Sequence, residues 1–172
     1  MTERQKYEVI KLIDDVEIRR YLPYVAADVL VKEEYEKAGN AGFRPLANYI
    51  FSNKISMTAP VLFEEQGKEE WQVSFVMPHG SKITEMPTPA NNVKLREEKE
   101  EICAVIKFSG YTGEKRIKKF EEKLLHTIHK HKMSATGKVR IARFDPPWKP
   151  GFIRHNELIV PIQELNQSDL PL

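Results

Sequence analysis

The residues best suited to chemistry lie in one stretch near the end of the chain: Asp145-Pro146-Pro147-Trp148-Lys149-Pro150-Gly151-Phe152-Ile153-Arg154-His155-Asn156-Glu157-Leu158. Adjacent prolines restrict the backbone, so a loop built on them loses little entropy in holding one shape. The loop presents Trp148, Lys149 and Phe152 at the mouth of an apolar strand. An indole offers a stacking face, and a lysine beside a carboxylate forms a charge-assisted bond of about 1.5–3 kcal/mol. That combination suits a flat, apolar, anionic ligand. A solvated loop tip with its indole tucked onto the domain uses the same residues.

Other candidates are more isolated. His155, next to Arg154, is the histidine that could face the same pocket and ligate a metal. His126, His129 and His131 cluster without a carboxylate or cysteine at ligand spacing, and histidines at a helix C-terminus complement its dipole. Met57 offers a soft thioether, or fills the core at a helix–strand junction. Glu157 opens the last strand; if buried it needs a partner, which Arg19, Arg20, Arg140 or Arg154 could supply. Cys103 is the lone cysteine, flanked by apolar residues, and reads as core filler. No nucleophile elbow, glycine-rich phosphate loop or zinc signature occurs, so the sequence carries no enzyme motif.

The elements that position these residues follow from hydrophobic period. Alternation predicts strands around Tyr7–Ile13, Val16–Arg20 and Val25–Val31, with a turn at Asp14-Asp15. Phe43, Leu46, Ala47 and Ile50 share a helical face, with Asn40 as cap and Pro45 in the first turn. Strands follow at 57–63 and 71–77. After a loop over 82–92 the order repeats: strands near Val93–Leu95 and Ile102–Phe108, a helix capped by Thr112 with Ile117, Phe120, Leu124 and Ile128 inward, then strands near Val139–Ile141 and Leu158–Ile162. The fold class expected is α+β, a pseudo-duplicated twisted antiparallel sheet or distorted barrel with two helices. One domain spans 1–172, with a core of about 6–165, half-repeats of about 6–80 and 91–165, and a frayed tail at 166–172. So many strands and so few helices require the sheet to curl or to leave an apolar face open, and either creates a concave binding surface.

Composition narrows the class. With 172 residues, 30% charged and 41% hydrophobic, the chain has an ordinary globular composition. A net charge of +2 gives no global field for nucleic acid, and the basic residues of the second helix are interrupted by glutamates. No segment approaches the roughly 20 apolar residues of a membrane span. A cytoplasmic monomer without nucleic-acid partners is expected.

Taken in order, several motifs resemble the SOUL haem-binding family. They are Tyr7-Glu8-Val9, Glu17-Ile18-Arg19-Arg20-Tyr21, Gly42-Phe43-Arg44-Pro45-Leu46-Ala47-Asn48-Tyr49-Ile50, Lys54-Ile55-Ser56-Met57-Thr58-Ala59-Pro60-Val61, Ser74-Phe75-Val76-Met77-Pro78, Phe108-Ser109-Gly110, and Asp145-Pro146-Pro147 with Arg154-His155-Asn156-Glu157-Leu158. The resemblance implies reversible, non-catalytic binding of haem or another tetrapyrrole, with haem not required for folding. The macrocycle would lie between the first helix (Phe43, Leu46, Ala47, Ile50) and the loop (Trp148, Phe152), with Met57 as a soft contact. Lys149 matches the family's loop lysine and would face a propionate. Two basic helix positions of some members are Asn40 and Asn48 here, and Arg44 lies close enough to substitute. The axial histidine suggested near the start of some members has no counterpart, which leaves His155 to be tested for iron. The family also looks like the GyrI-type effector-binding domains, a few of which hydrolyse small substrates. That likeness implies alternatives: a different, cationic small molecule bound through Glu157, or a small-molecule hydrolase on that fold.

Overall fold

The computed structural model describes residues 2–90, 92–146 and 148–163. The expected tail at 166–172 and Pro147 lie outside the described residues. Among the described residues eleven strands and two long helices run in the order β1 (Glu3–Arg4), β2 (Tyr7–Ile13), β3 (Val16–Tyr21), β4 (Tyr24–Val31), α1 (Tyr35–Ser52), β5 (Thr58–Ala59), β6 (Val61–Gly67), β7 (Glu70–Val76), β8 (Lys94–Glu98), β9 (Glu101–Ser109), α2 (Glu114–Lys130), β10 (Arg140–Arg143) and β11 (His155–Pro161). Nine of the strands form one antiparallel sheet in the order β2-β3-β9-β11-β10-β6-β7-β4-β8, while β1 and β5 make a short parallel pair. The chain is an α+β half-barrel with two helices, as its alternating pattern predicts.

Strand alternation sorts side chains onto two faces. The outer face carries Val25, Ala27, Val29, Phe63, Val73, Phe75, Ala104, Ile106, Leu158 and Val160, and both helices pack there. α1 covers β4 and β7; α2 covers β9 and β11. On the central pair β6–β10, α1 reaches Phe63 through Tyr35 and comes close to Arg143 at Gly39. The inner face carries a second buried cluster of Tyr21, Tyr24, Leu62, Val76, Cys103, Val105 and Ile159. Tyr24 of β4 hydrogen-bonds Glu101 of β9, although four strands separate β4 from β9 in the sheet. Only a sheet curled towards this face brings those two residues together.

That curl closes on the protein's own side chains. Arg140 donates to Glu101 at 2.8 Å and to the Tyr24 hydroxyl at 3.1 Å. Arg96 holds Asp28 and Glu98, and Ser74 donates to Asp28 at 2.6 Å. The expected open, apolar concave surface is therefore replaced by a hydrogen-bonded polar filling. Inward-facing polar residues on neighbouring strands find one another once the sheet bends, and the sequence does not show the bend.

The helix boundaries also differ from expectation. α1 begins at Tyr35 with Glu34 at its N-cap, so Asn40 is interior and Pro45 lies deep in the helix. The extra turns are held by packing: Tyr35 meets the rings of Phe63 and Trp71, and Ala38 is fully buried. Tertiary burial here outweighs the poor helix propensity of Gly39, Gly42 and Pro45. In α2 the N-cap is Gly113, one residue after Thr112, and Leu124 and Ile128 face inward as their spacing predicts.

Candidate functional site

The loop between β10 and β11 is tied down at many points. Asp145 accepts the backbone N–H of His155 and, at 2.9 Å, the ammonium of Lys149. Burial alone would raise the Asp145 pKa, but those bonds overcome it and hold the carboxyl below its ordinary range. The Lys149 N–H reaches the Pro146 carbonyl, the Ile153 N–H the Pro150 carbonyl, and the Arg154 guanidinium the Lys149 carbonyl. Gly110 donates to the Arg154 carbonyl, and the Asn156 side chain donates to that of Gly110. Gly151 is buried against Tyr111 so closely that an added Cβ would sit 2.2 Å from the ring. With these backbone groups bonded and its glycine seated, the loop turns its apolar groups outward. Trp148 is 84% exposed, Phe152 is 69% exposed, and Ile153 and Tyr111 are exposed beside them. Exposed apolar side chains gathered on one loop make it a candidate recognition surface.

The other predicted residues fall in different surroundings. Leu46 and Ile50 are fully buried and Ala47 nearly so, all within the core beneath α1. None of the three offers surface to a ligand unless α1 moves. Phe43 is half-exposed with its ring edge on Phe75, and Arg44 is exposed. Met57 is half-buried and packs against the main core. Arg143, just before the loop, joins the two regions: its guanidinium lies 3.5 Å from where a Cβ on Gly39 of α1 would be and 5.4 Å above the Phe63 ring. Sequence reasoning missed Arg143, Tyr111 and Ile153 because their proximity depends on strand pairing.

Glu157 is buried on the inner face and grips Arg19 with both oxygens, at 2.7 and 3.0 Å. Arg19 is fully buried; it also donates to Glu17 and Tyr21 and lies 4.0 Å under the Tyr7 ring. His155 Nε2 is 2.9 Å from the second Glu157 oxygen. Burial would raise the Glu157 pKa, but the hydrogen bonds and charges of His155 and Arg19 hold it below the ordinary carboxylate range. Glu157 is thus one half of a saturated ion pair, and His155 is engaged with it. Among the described residues no group of three or more His, Cys, Asp or Glu side chains is arranged to hold a metal ion. Cys103 is buried, which pushes its thiol up to about 12 and makes it a poor nucleophile.

A groove of about 970 Å3 opens between the helices, beside the turn that joins β6 to β7 and the start of β10. Trp71, Ile117, Leu125, Val139, Ile141 and Val160 line it, with five glutamates (34, 65, 69, 114 and 121) against three lysines (68, 118 and 138). Burial, followed by the charges of Glu65 and Glu122, raises the Glu121 pKa. These carboxylates come from separate elements, so no sequence spacing marks them.

No helix among the described residues is long and apolar enough to cross a membrane. Residues 2–161 match the sequence profile of a family described as SOUL heme-binding protein. No curated protein matches the chain. Solved structures share the fold at low identity. The EcmrR C-terminal domain is 9% identical with a TM-score of 0.70, covering 92% of this chain and 99% of that one. A hydrolase encoded by lin2189 from Listeria innocua is 14% identical with a TM-score of 0.61, covering 87% and 92%. SAV2435 bound to tetraphenylphosphonium is 7% identical with a TM-score of 0.51, covering 92% and 94%.

Proposed function

The chain belongs to the SOUL heme-binding protein family, and from that membership we propose that it binds haem or a related tetrapyrrole reversibly, without catalysis, on the β10–β11 loop. The observation that carries this reading is the outward exposure of Trp148, Phe152, Ile153 and Tyr111 on and beside a loop tied down by several hydrogen bonds. A planar macrocycle gains about 25 cal/mol for each Å2 of apolar surface it buries there, before association costs. Lys149, half-exposed, and Arg143 at the root of the loop supply cations for propionates. The residues fit the macrocycle better than its iron, since the Nε2 of His155 already serves Glu157. Contact with the apolar face therefore dominates over axial ligation by the protein, and Phe43 and Arg44 are the expected α1 residues that remain exposed. The inter-helix groove suits a dianionic ligand poorly, because its carboxylates outnumber its lysines.

Titrating haemin and following the Soret band tests the assignment. The pair of changes Trp148→Ala and Phe152→Ala is expected to weaken binding at least about tenfold, and Lys149→Glu to weaken it further. Saturable wild-type binding that survives all three changes would move the site elsewhere. No saturable Soret change would remove haem.

The groove supports a second reading, a small organic cation. Its aromatic and carboxylate lining matches such a ligand, and SAV2435, which shares the fold, is bound to tetraphenylphosphonium. The two tryptophans separate the readings, because Trp71 lines the groove and Trp148 stands on the loop. In a Trp148→Phe variant, tetraphenylphosphonium is expected to shift the remaining Trp71 emission, and Glu65→Gln with Glu121→Gln to weaken that response several-fold. An unresponsive Trp71 eliminates the cation.

A further inference from the structure

Strand β2 is the first strand of the sheet and, among the described residues, pairs only with β3. An edge strand exposes a row of backbone donors and acceptors, which proteins shield with proline, charged side chains or bulges; β2 has a bulge, Glu8 and Lys11, yet keeps an apolar exposed face. Residues Tyr7–Ile13 contain no proline, and Tyr7, Val9, Ile10 and Leu12 are exposed, Val9 at 53% and Leu12 at 66%.

A bulge decides which side chains of this strand share a face. Val9 lies opposite Arg19 but Lys11 opposite Ile18, so Ile10 is the extra residue. Tyr7 and Val9 lie on the inner face with Tyr21 and Arg19, and Leu12 joins them opposite Glu17. Glu8 and Lys11 both lie on the outer face, opposite Arg20 and Ile18. In a regular strand, residues three apart point to opposite faces; the bulge puts Glu8 and Lys11 on the same one.

The strand is thereby complementary to itself. An antiparallel approach about a twofold axis through Val9–Ile10 sets Glu8 opposite Lys11 of the second copy and Tyr7 opposite its Leu12, each pair occurring twice. The charged pairs fall on the outer face and the aromatic–aliphatic pairs on the inner, both favourable across antiparallel strands. A slip of one residue sets Glu8 opposite Ile10 or Leu12 and breaks both matches, so the register is unique. Among the described residues Glu8 has an exposed contact with Arg20 at 3.4 Å, and Arg20 is shared with Glu100.

We infer that the chain self-associates through β2 into a twofold dimer whose sheet runs on from one copy to the next, with its register set by Glu8 and Lys11. The interface lies on an edge, separate from the loop and the groove, so it stands or falls independently of the ligand.

Light scattering on the full chain, over about a hundredfold range of concentration, tests this. The mass is expected to rise from one chain to two, while amide exchange of residues 8–12 slows as concentration rises. Glu8→Lys alone and Lys11→Glu alone each set like charges face to face and are expected to weaken association at least about tenfold. An equimolar mixture of the two variants restores complementarity and is expected to associate as a heterodimer. Both positions lie on the edge strand, and unchanged circular dichroism confirms that the variants fold. A single-chain mass throughout overturns the dimer. Exchange protection that ignores concentration shows that the chain covers its own edge and overturns it too. Charge reversals without effect overturn the register.

Discussion

Arg19→Met is expected to lose about 3–5 kcal/mol of folding stability, the cost of breaking a buried ion pair from one side. Methionine fills most of the volume but leaves Glu157 buried with only His155 as partner and deprives Glu17 and Tyr21 of a donor. Removing both charges should be far milder, so Arg19→Met with Glu157→Leu is expected to recover most of the loss. Urea unfolding of the three variants measures this; a loss under about 1 kcal/mol for Arg19→Met would show that the pair is not structural. The same pair sets the acid response. The Glu157 and Glu17 carboxyls lie below their ordinary 4.5 in the folded chain, so the unfolded chain binds more protons as the medium acidifies. Their stabilisation is fully present above about 4.5 and is lost as pH falls through the depressed folded values. In Arg19→Met that acid limb is expected to flatten.

Gly42→Ala is expected to destabilise by about 1–3 kcal/mol, although alanine is the better helix former by about 1 kcal/mol. A Cβ on Gly42 would lie 2.6 Å from both Cβ and Cγ2 of Val73 and 3.0 Å from Cγ1. Val73 is fully buried, central in β7 and stiff about χ1, so it cannot swing away. The helix would have to lift from the sheet, disturbing the ring contact of Phe43 on Phe75 one residue along. Val73→Gly removes all three clashing carbons, so the double variant should show a favourable coupling in a mutant cycle. Additive losses would mean that the close approach does not control how α1 seats.

The resemblance read from the ordered motifs agrees with the family match, and the strand alternation with the sheet. The sites were legible in part. The prolines marked the loop of Trp148 and Phe152 as stiff, but the sequence left the indole either presented or tucked onto the domain, and the structure exposes both rings. Leu46 and Ile50 share the helical face that includes Phe43, yet the two are core and Phe43 is half-exposed. A helical period gives the apolar stripe but not the position of its boundary, which depends on how closely the sheet approaches. Here Gly42 sets that approach.

Charged residues were the least legible. Glu157 was assigned a structural ion pair or a cation-facing role, with Arg19, Arg20, Arg140 and Arg154 as candidate partners. Pairing of β3 and β11 on either side of β9, with the sheet curled inward, selected Arg19. The groove carboxylates belong to strands, turns and α2 that meet only in the folded chain. Local order in the sequence therefore determined the two helices, the alternating strands and the rigid aromatic loop, since propensity, period and proline act over a few residues. Tertiary structure alone decided what fills the inner face, which carboxylates gather between the helices and which edge stays unpaired. Those outcomes depend on the curl of the sheet, a property of contacts between residues far apart in the chain.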